Sequence, residues 1–470
     1  GVIVSNHDRQ DANVNLLAIQ GRWNNNQVAS IFLQSGSDTV NKEEGYIQFK
    51  TRKGESGGMP TRMTLTSEGN LGIGTSTPAE KLSVEGNARI TGILTVGTAS
   101  VTLNGDTGVV SGINTINGIS YPSGGQLFAR NLIDNGEMQI AQRAMPITGI
   151  ANASGVLEYG IDRFLIGVQG FGTWTYAQGS GISTEGFTNS AKLTCTSSAS
   201  PSAINDYVLF FHYIEAQDLR RLNFGTSAAE SITLSFWVKS NKTGNASFDI
   251  RIDDNSQQLA SAGYTIYSAD TWEYKTITFN GDTASTIAND NGRGFQCSWW
   301  LNGGTQFTGG SFQDWGTYNT ANRNVNNLGV GGATNDYWEI TGIQLEVGTR
   351  ATPFEHRTFG EYLSKCLRYY VDTRSTALND GITVGQAINT ERIGMSIQWK
   401  QMMRSDPTVI IYAADNTEGK VTAYNSSIKS SGNTFTVSNP SKIGIQHITG
   451  GSGITAGNWY RFRYSASSEL

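Results

Sequence analysis

Ile232-Thr233-Leu234-Ser235-Phe236-Trp237-Val238-Lys239 is the stretch whose reading decides the fold class. Ile232, Leu234, Phe236 and Val238 alternate with Thr233, Ser235 and Trp237, and a period of two is what a strand with one buried face requires. Phe248, Ile250 and Ile252 repeat the pattern against Asp249 and Arg251. Residues 191–196, 272–279 and 337–345 read the same way, with turn residues between them. Residues 126–356 therefore predict a two-sheet antiparallel sandwich.

On the C-terminal side the period changes once. Phe359, Leu363, Cys366, Leu367 and Tyr370 fall three and four residues apart, which predicts one helix over 359–370. Strand patterns resume at 393–399, 408–412, 434–437, 443–448 and 460–464, giving a separate β-domain over 357–470. On the N-terminal side, residues 71–125 carry almost no charge beyond Glu80, Lys81, Glu85, Arg89 and Asp106. The pairs Leu82/Val84, Ala88/Ile90, Leu94/Val96 and Val101/Leu103 are punctuated by glycines and too short for a sheet that stands alone. A flexible linker has no need of recurring Val, Ile and Leu. A thin shaft in which several chains share one apolar axis satisfies both facts; the alternative is a strand-bearing linker within one chain. Residues 1–70, with strand-like runs at 31–33, 46–50 and 63–65, read as a small β-domain.

Composition agrees. A chain of 470 residues suggests about three domains, and 37% hydrophobic with 10% aromatic residues is enough to build cores. Charged residues reach 16%, against a norm of roughly 25%. Gly is abundant at 56, and the polarity lies in Ser, Thr, Asn and Gly, which suit strands and turns. This is the make-up of an all-β extracellular or virion protein. A net charge of −5 argues against a nucleic-acid partner, since nothing would neutralise a phosphate backbone. No stretch approaches the ~18 apolar residues of a membrane span, and no signal-peptide pattern opens the chain, so membrane insertion is not expected. Cys195, Cys297 and Cys366 cannot all pair within one chain, which fits assembly in a reducing cytoplasm.

Catalytic patterns are sparse. Gly54-Glu55-Ser56-Gly57-Gly58 satisfies G-x-S-x-G, but a nucleophile elbow needs a helix after it, and a strand-like stretch follows here. A glycine-rich hairpin turn accounts for it. His7, His212, His356 and His447 lie far apart with no metal-ligand spacing, and His212 sits in an apolar run that suits a core position. Asp249, Asp253 and Asp254 supply paired carboxylates, open to readings as glycosidase acids, metal ligands or a solvated strand face. No regular coil repeat of a β-helix is visible. The aromatics say more. Trp299 and Trp300 are adjacent, so on a strand they point to opposite faces. With Asn302, Gln306, Trp315 and Tyr318 they supply the flat rings and uncharged hydrogen-bonding groups that sugars need; sandwich-core packing is the competing reading for the tryptophans.

Several passages resemble tailed-bacteriophage fibres. Gly69-Asn70-Leu71-Gly72-Ile73-Gly74-Thr75-Ser76-Thr77-Pro78 is similar to a shaft-entry motif. Asn131-Leu132-Ile133-Asp134-Asn135-Gly136-Glu137, the stretch at Thr233–Lys239 and Trp338-Glu339-Ile340-Thr341-Gly342-Ile343-Gln344-Leu345-Glu346-Val347 look like a jelly-roll carbohydrate-binding module. Ala351-Thr352-Pro353-Phe354-Glu355-His356-Arg357, Cys366-Leu367-Arg368-Tyr369-Tyr370 and Met403-Arg404-Ser405-Asp406-Pro407 resemble fibre tip domains. The resemblance implies an elongated all-β fibre with a thin shaft, a jelly-roll sandwich and a C-terminal β-domain preceded by one helix. It implies a homotrimer in the virion, attached through its N-terminal side to other tail or baseplate proteins. Its partner would be host-surface polysaccharide or lipopolysaccharide, bound without catalysis; a polysaccharide-degrading fibre or spike is the alternative. It also brings an expected structural calcium, with Asn135, Glu137 and Glu339 as candidate ligands.

Overall fold

The computed structural model describes the chain outside residues 1–10, 55–57, 87, 90, 92, 96–101, 105–108, 112–114, 117–118, 121–128, 152–155, 201–202, 254–256, 375–380, 426–429, 431–433 and 438. The chain falls into two compact units, Gly1–Ile113 and Asn114–Leu470.

In the first unit six strands form one meander: Asn15–Trp23, Asn26–Ser35, Gly45–Thr51, Thr61–Leu65, Leu71–Ile73 and Leu82–Val84. Neighbours are antiparallel except the last pair, which is parallel. Because pairing fixes which side chains share a face, the register writes two apolar rows across the sheet. One runs Leu17, Leu33, Ile47, Leu65, Leu71, Leu82; the other runs Ile19, Ile31, Phe49, Met63, Ile73, Val84. None of these twelve side chains is buried within the chain. The opposite face carries Ala18, Phe32, Gln48, Thr64, Gly72 and Ser83 in one row. Leu71–Ile73 and Leu82–Val84 thus complete the N-terminal sheet, and the boundary expected at residue 70 moves C-terminally. The short strands Ile93–Thr95, Thr102–Asn104 and Val109–Ser111 pair among themselves, while Ile90, Val96 and Val101 of the expected shaft pairs lie outside the described residues. Ser56, and with it the expected hairpin turn, also lies outside the described residues.

The second unit opens with the sandwich. One sheet has the order Ile147–Ile150, Thr173–Ser180, Asn189–Ser197, Tyr337–Val347, Ile232–Ser240, Glu273–Phe279. The other runs Val156–Tyr159, Phe164–Gln169, Tyr207–Glu215, Arg293–Gly303, Gly244–Ile252, Gln258–Ile266, Gln313–Thr317. The expected alternation holds: Ile232, Leu234, Phe236 and Val238 are all fully buried between the sheets. Aromatic edges interlock across the gap, with Phe236 meeting Trp299 at 5.9 Å and Phe210 meeting Trp338 at 5.6 Å.

The C-terminal domain is a closed barrel. Trp459–Ser467 pairs with Thr383–Ala387 along its first half and Thr408–Tyr412 along its second, closing a ring through Arg392–Gln398, Gly444–Thr449 and Thr436–Val437. Closure leaves no free edge among those strands, and Ile393, Ile448, Phe462 and Met403 fill the interior. The helix before it spans Phe359–Leu367, capped by a reciprocal Thr358–Glu361 box. It is shorter than expected because Tyr370 already belongs to the strand Tyr370–Asp372, and Phe359 is exposed while Tyr362 takes the buried face.

The barrel and the seven-stranded sheet share a second core, in which Leu209, Phe211, Tyr213 and Trp300 of the sheet pack with Tyr369 and Leu470. Charges are buried there in pairs. Arg163 donates to Glu469 at 2.8 Å and to the Tyr213 carbonyl at 2.7 Å, with its guanidinium 3.4 Å from the Tyr369 ring. Arg368 and the Tyr369 hydroxyl both hold Glu215.

His212 is a core residue, fully buried against Phe164 at 4.8 Å, as its apolar run suggested. Burial first, and Arg163 second, press its pKa down to about 3. The folded imidazole stays neutral while the unfolded one takes a proton below its ordinary value near 6.5, so His212 costs stability as pH falls from 6.5 towards 3. His212→Phe should therefore gain on the wild type by about 1.4 kcal/mol per pH unit over that window, read from urea midpoints at pH 7, 5 and 4. A constant difference would contradict this account.

Candidate functional site

The two tryptophans expected to meet sugar do point to opposite faces, and both faces are covered. Trp299 lies wholly inside the sandwich core. Trp300 lies wholly inside the second core, its indole N–H donating to Asp249 at 2.5 Å, with Arg323 over the ring at 4.9 Å and Phe307 against it. Neither offers a ring face to a ligand, which corrects the expectation. Asn302 is buried too, bridging Asn327 and the Val330 carbonyl. Trp315 is half-buried, stacked on Phe295 at 5.7 Å and donating to the Asn280 carbonyl. Gln306 is exposed and Tyr318 half-buried. The six do not build one open surface. Adjacency and loop composition pointed here, but the sequence carries no sign that a second domain packs over the sheet's outer face.

The carboxylates settle similarly. Asp249 is buried against Arg323 at 3.2 Å, so it is no solvated strand face. Asp253 pairs with Arg251 and Arg293, and Asp254 lies outside the described residues. The calcium candidates do not fit a cage. Asn135 ties its own loop to Ile140 and Asp162; Glu339 is held by Ser190 and Lys239; Glu137 is held by Gln139, Tyr362 and His356. Their oxygens are taken by N–H and O–H donors and by Lys239, and among the described residues no three His, Cys, Asp or Glu side chains converge.

An open aromatic surface exists elsewhere, on the outer face of the six-stranded sheet. Trp237 and Tyr274 are direct cross-strand partners, their rings 5.3 Å apart; Trp237 is half-buried and Tyr274 exposed. Ser235, beside them, is among the outward residues of the deciding stretch. The segment that follows the sandwich walls this floor. Thr352 is fastened to Glu346 through its backbone N–H at 2.8 Å and its hydroxyl at 2.6 Å, and Glu355 is fastened to Gln344 at 2.8 Å. That anchoring places Phe354 and His356 against Phe187 at 5.0 and 5.3 Å. The buried Glu137 holds His356 Nδ1 at 2.7 Å. Gly186, at φ 86°, turns the chain so that Glu185 reaches the rim. Together these residues line a groove of about 480 Å³. Burial pushes the Tyr274 phenol up, a Ser235 hydrogen bond opposing it. Flat rings beside a hydroxyl and a carboxylate can stack on the C–H face of a sugar and bond its hydroxyls. The signal was legible: Trp237 is the one large aromatic in an outward set otherwise made of Thr233, Ser235 and Lys239.

A second concavity of about 400 Å³ lies on the barrel wall, lined by Ser396, Gln398, Asn439, Ser441, Gln446 and His447 among others. It offers hydroxyls and amides, but no Trp, Tyr or Phe.

No protein-family model matches the chain. No curated protein sequence matches it either. Among solved structures it is similar to the enzymatically active domain of tailspike protein 4 of bacteriophage CBA120, at 14% identity and a TM-score of 0.26, over 46% of this chain and 21% of that one. It is similar to TmCBM61 in complex with β-1,4-galactotriose, at 10% identity and a TM-score of 0.23, over 47% of this chain and 99% of that one. A family 16 carbohydrate binding module matches at 12% identity and a TM-score of 0.19, over 36% of this chain and 84% of that one. None of the three reaches a similarity at which a function transfers.

Proposed function

We propose that this chain is a homotrimeric phage tail fibre that attaches the virion to its host by binding surface polysaccharide or lipopolysaccharide, without cleaving it. The observation that carries the binding is the groove floored by Trp237 and Tyr274, with Phe354 and His356 as its wall. The fibre assignment rests on the resemblance of the shaft-entry, sandwich and tip passages. The uncovered apolar face of the N-terminal sheet supports several copies in one assembly, because a face of twelve apolar side chains exceeds what a lone chain leaves wet. The N-terminal side is left for other tail or baseplate proteins.

One such groove binds weakly, and three on a fibre raise avidity through effective concentration. The full chain should compete with the phage for adsorption to host cells. Trp237→Ala should raise the concentration needed by about tenfold or more, each lost stacking contact amounting to roughly 1 kcal/mol before avidity multiplies it. The thermal transition should stay unchanged. Equal competition by a folded Trp237→Ala chain would remove the groove from host binding, and reducing ends released from host polysaccharide by the wild type would favour the degrading alternative.

A further inference from the structure

The charge around the groove says which saccharides it suits, an inference that rests on reading the groove as a sugar site. Four aromatic side chains line it, Phe187, Trp237, Tyr274 and Phe354. An aromatic face is the negative part of the ring quadrupole and attracts cations. Glu185 is the one carboxylate among the lining residues, and no Lys or Arg lines the groove. Glu185 is exposed on the short turn Ser183–Glu185, and among the described residues no cationic side chain pairs with it. The basic groups on the same sheet face and beside it are already engaged: Lys239 with Glu339 at 3.0 Å, Lys192 over the Tyr337 ring at 4.5 Å and Arg357 with Glu355 at 3.0 Å. His356 turns its Nδ1 to the buried Glu137. The site therefore presents π faces and an unneutralised carboxylate with no counter-charge of its own.

We propose that the groove selects saccharides bearing a protonated amine, free amino sugars, over neutral and acidic ones. The ammonium sits over the Trp237 or Tyr274 ring within reach of Glu185, while the pyranose C–H face stacks on the other ring. An acidic sugar meets like charge at Glu185 and finds no cation to bind.

The test is titration of the full chain, at low and at physiological salt, with glucosamine oligosaccharides, their N-acetylated counterparts and galacturonate oligosaccharides. The amine form should bind about tenfold tighter than the N-acetylated form, a cation–π contact and one exposed ion pair together supplying on the order of 1.4 kcal/mol. Galacturonate should bind weakest. Glu185→Gln should bring the amine and N-acetyl affinities together, and Trp237→Ala should weaken both. If the N-acetylated form binds the wild type as tightly, or if Glu185→Gln keeps the preference, the amino-sugar inference fails while the groove stands. If Trp237→Ala changes neither affinity, or none of the three binds, the groove reading fails with it.

Discussion

Arg163→Ala is expected to lower the unfolding free energy of the unit spanning residues 114–470 by about 3–5 kcal/mol, since removing one partner leaves the others charged and buried. Arg163 is wholly buried between sandwich and barrel, and four groups depend on it. Glu469 loses its 2.8 Å partner and keeps only Arg143 at 3.2 Å. Asp134 keeps Lys365 at 2.8 Å but loses a second cation at 3.6 Å. The Tyr213 carbonyl loses its 2.7 Å donor and the Tyr369 ring its stacked guanidinium. Against this, Arg163 holds a left-handed backbone at φ 76°, so part of the loss is returned as relieved strain only if the residue can move. Asp134 gives the change a pH signature. Burial would raise its carboxyl, yet Lys365 first and Arg163 next hold it well below the usual carboxylate range. Its stabilising contribution is present above the unfolded value near 4 and fades as pH falls below it, so the penalty of Arg163→Ala should shrink in acid. Urea denaturation of the full chain followed by tryptophan fluorescence reads this, nine of the ten tryptophans lying beyond residue 113. A loss under about 1 kcal/mol would mean the interface is not held by this residue.

Ile31→Asp should leave that larger unit intact and break the assembly of the N-terminal sheet. Ile31 lies in the interior of the apolar row, between Ile19 and Phe49. In a single chain its surroundings are already wet, and the carboxylate would cost almost nothing. Facing a second copy it would be desolvated against Phe49 and Met63, at a cost on the order of 3 kcal/mol per chain. The two cases separate cleanly. The wild type is expected at three times 50.7 kDa in solution, and the variant should show a loosened, protease-sensitive N-terminal region with the main thermal transition unmoved. A wild type at 50.7 kDa at micromolar concentration would sink the shared-core account.

The parts of the fold that sequence resolves are those where a single periodicity meets a single environment. The alternation at Ile232–Ser240 is met by the inter-sheet core on one side and, on the other, by a face where Thr233 and Ser235 are covered and Trp237 and Lys239 are half-buried; the sheet and the floor of the groove follow from it. Thr408–Tyr412 falls at the expected residues for the same reason. The outer face of Tyr207–Glu215 is apolar because the barrel covers it, so its side chains alternate between two cores and read as one continuous apolar run. That double burial hid the fate of Trp300. The groove was half visible: Trp237 on a Thr/Ser face could be read, but Phe354, His356 and Phe187 come together only through the anchoring of Thr352 and Glu355 more than a hundred residues downstream of Trp237. The strands Leu71–Ile73 and Leu82–Val84 fall inside the stretch read as shaft because Leu82/Val84 looks like a shaft pair until its register with Leu71 and Leu65 is known.

The most direct test of the central claim, that this chain binds surface carbohydrate through the Trp237–Tyr274 groove, is retention of the labelled full chain on an array of bacterial surface polysaccharides and lipopolysaccharides, beside the Trp237→Ala/Tyr274→Ala double variant. The account predicts that the wild type is retained on a defined subset of glycans, that no shortened saccharide is released, and that the folded double variant is lost from those same glycans by about a hundredfold, two stacking contacts at roughly 1 kcal/mol each before avidity multiplies them. Retention of the double variant on the same glycans at the wild-type level, or no retention of the wild type on any of them, would contradict it.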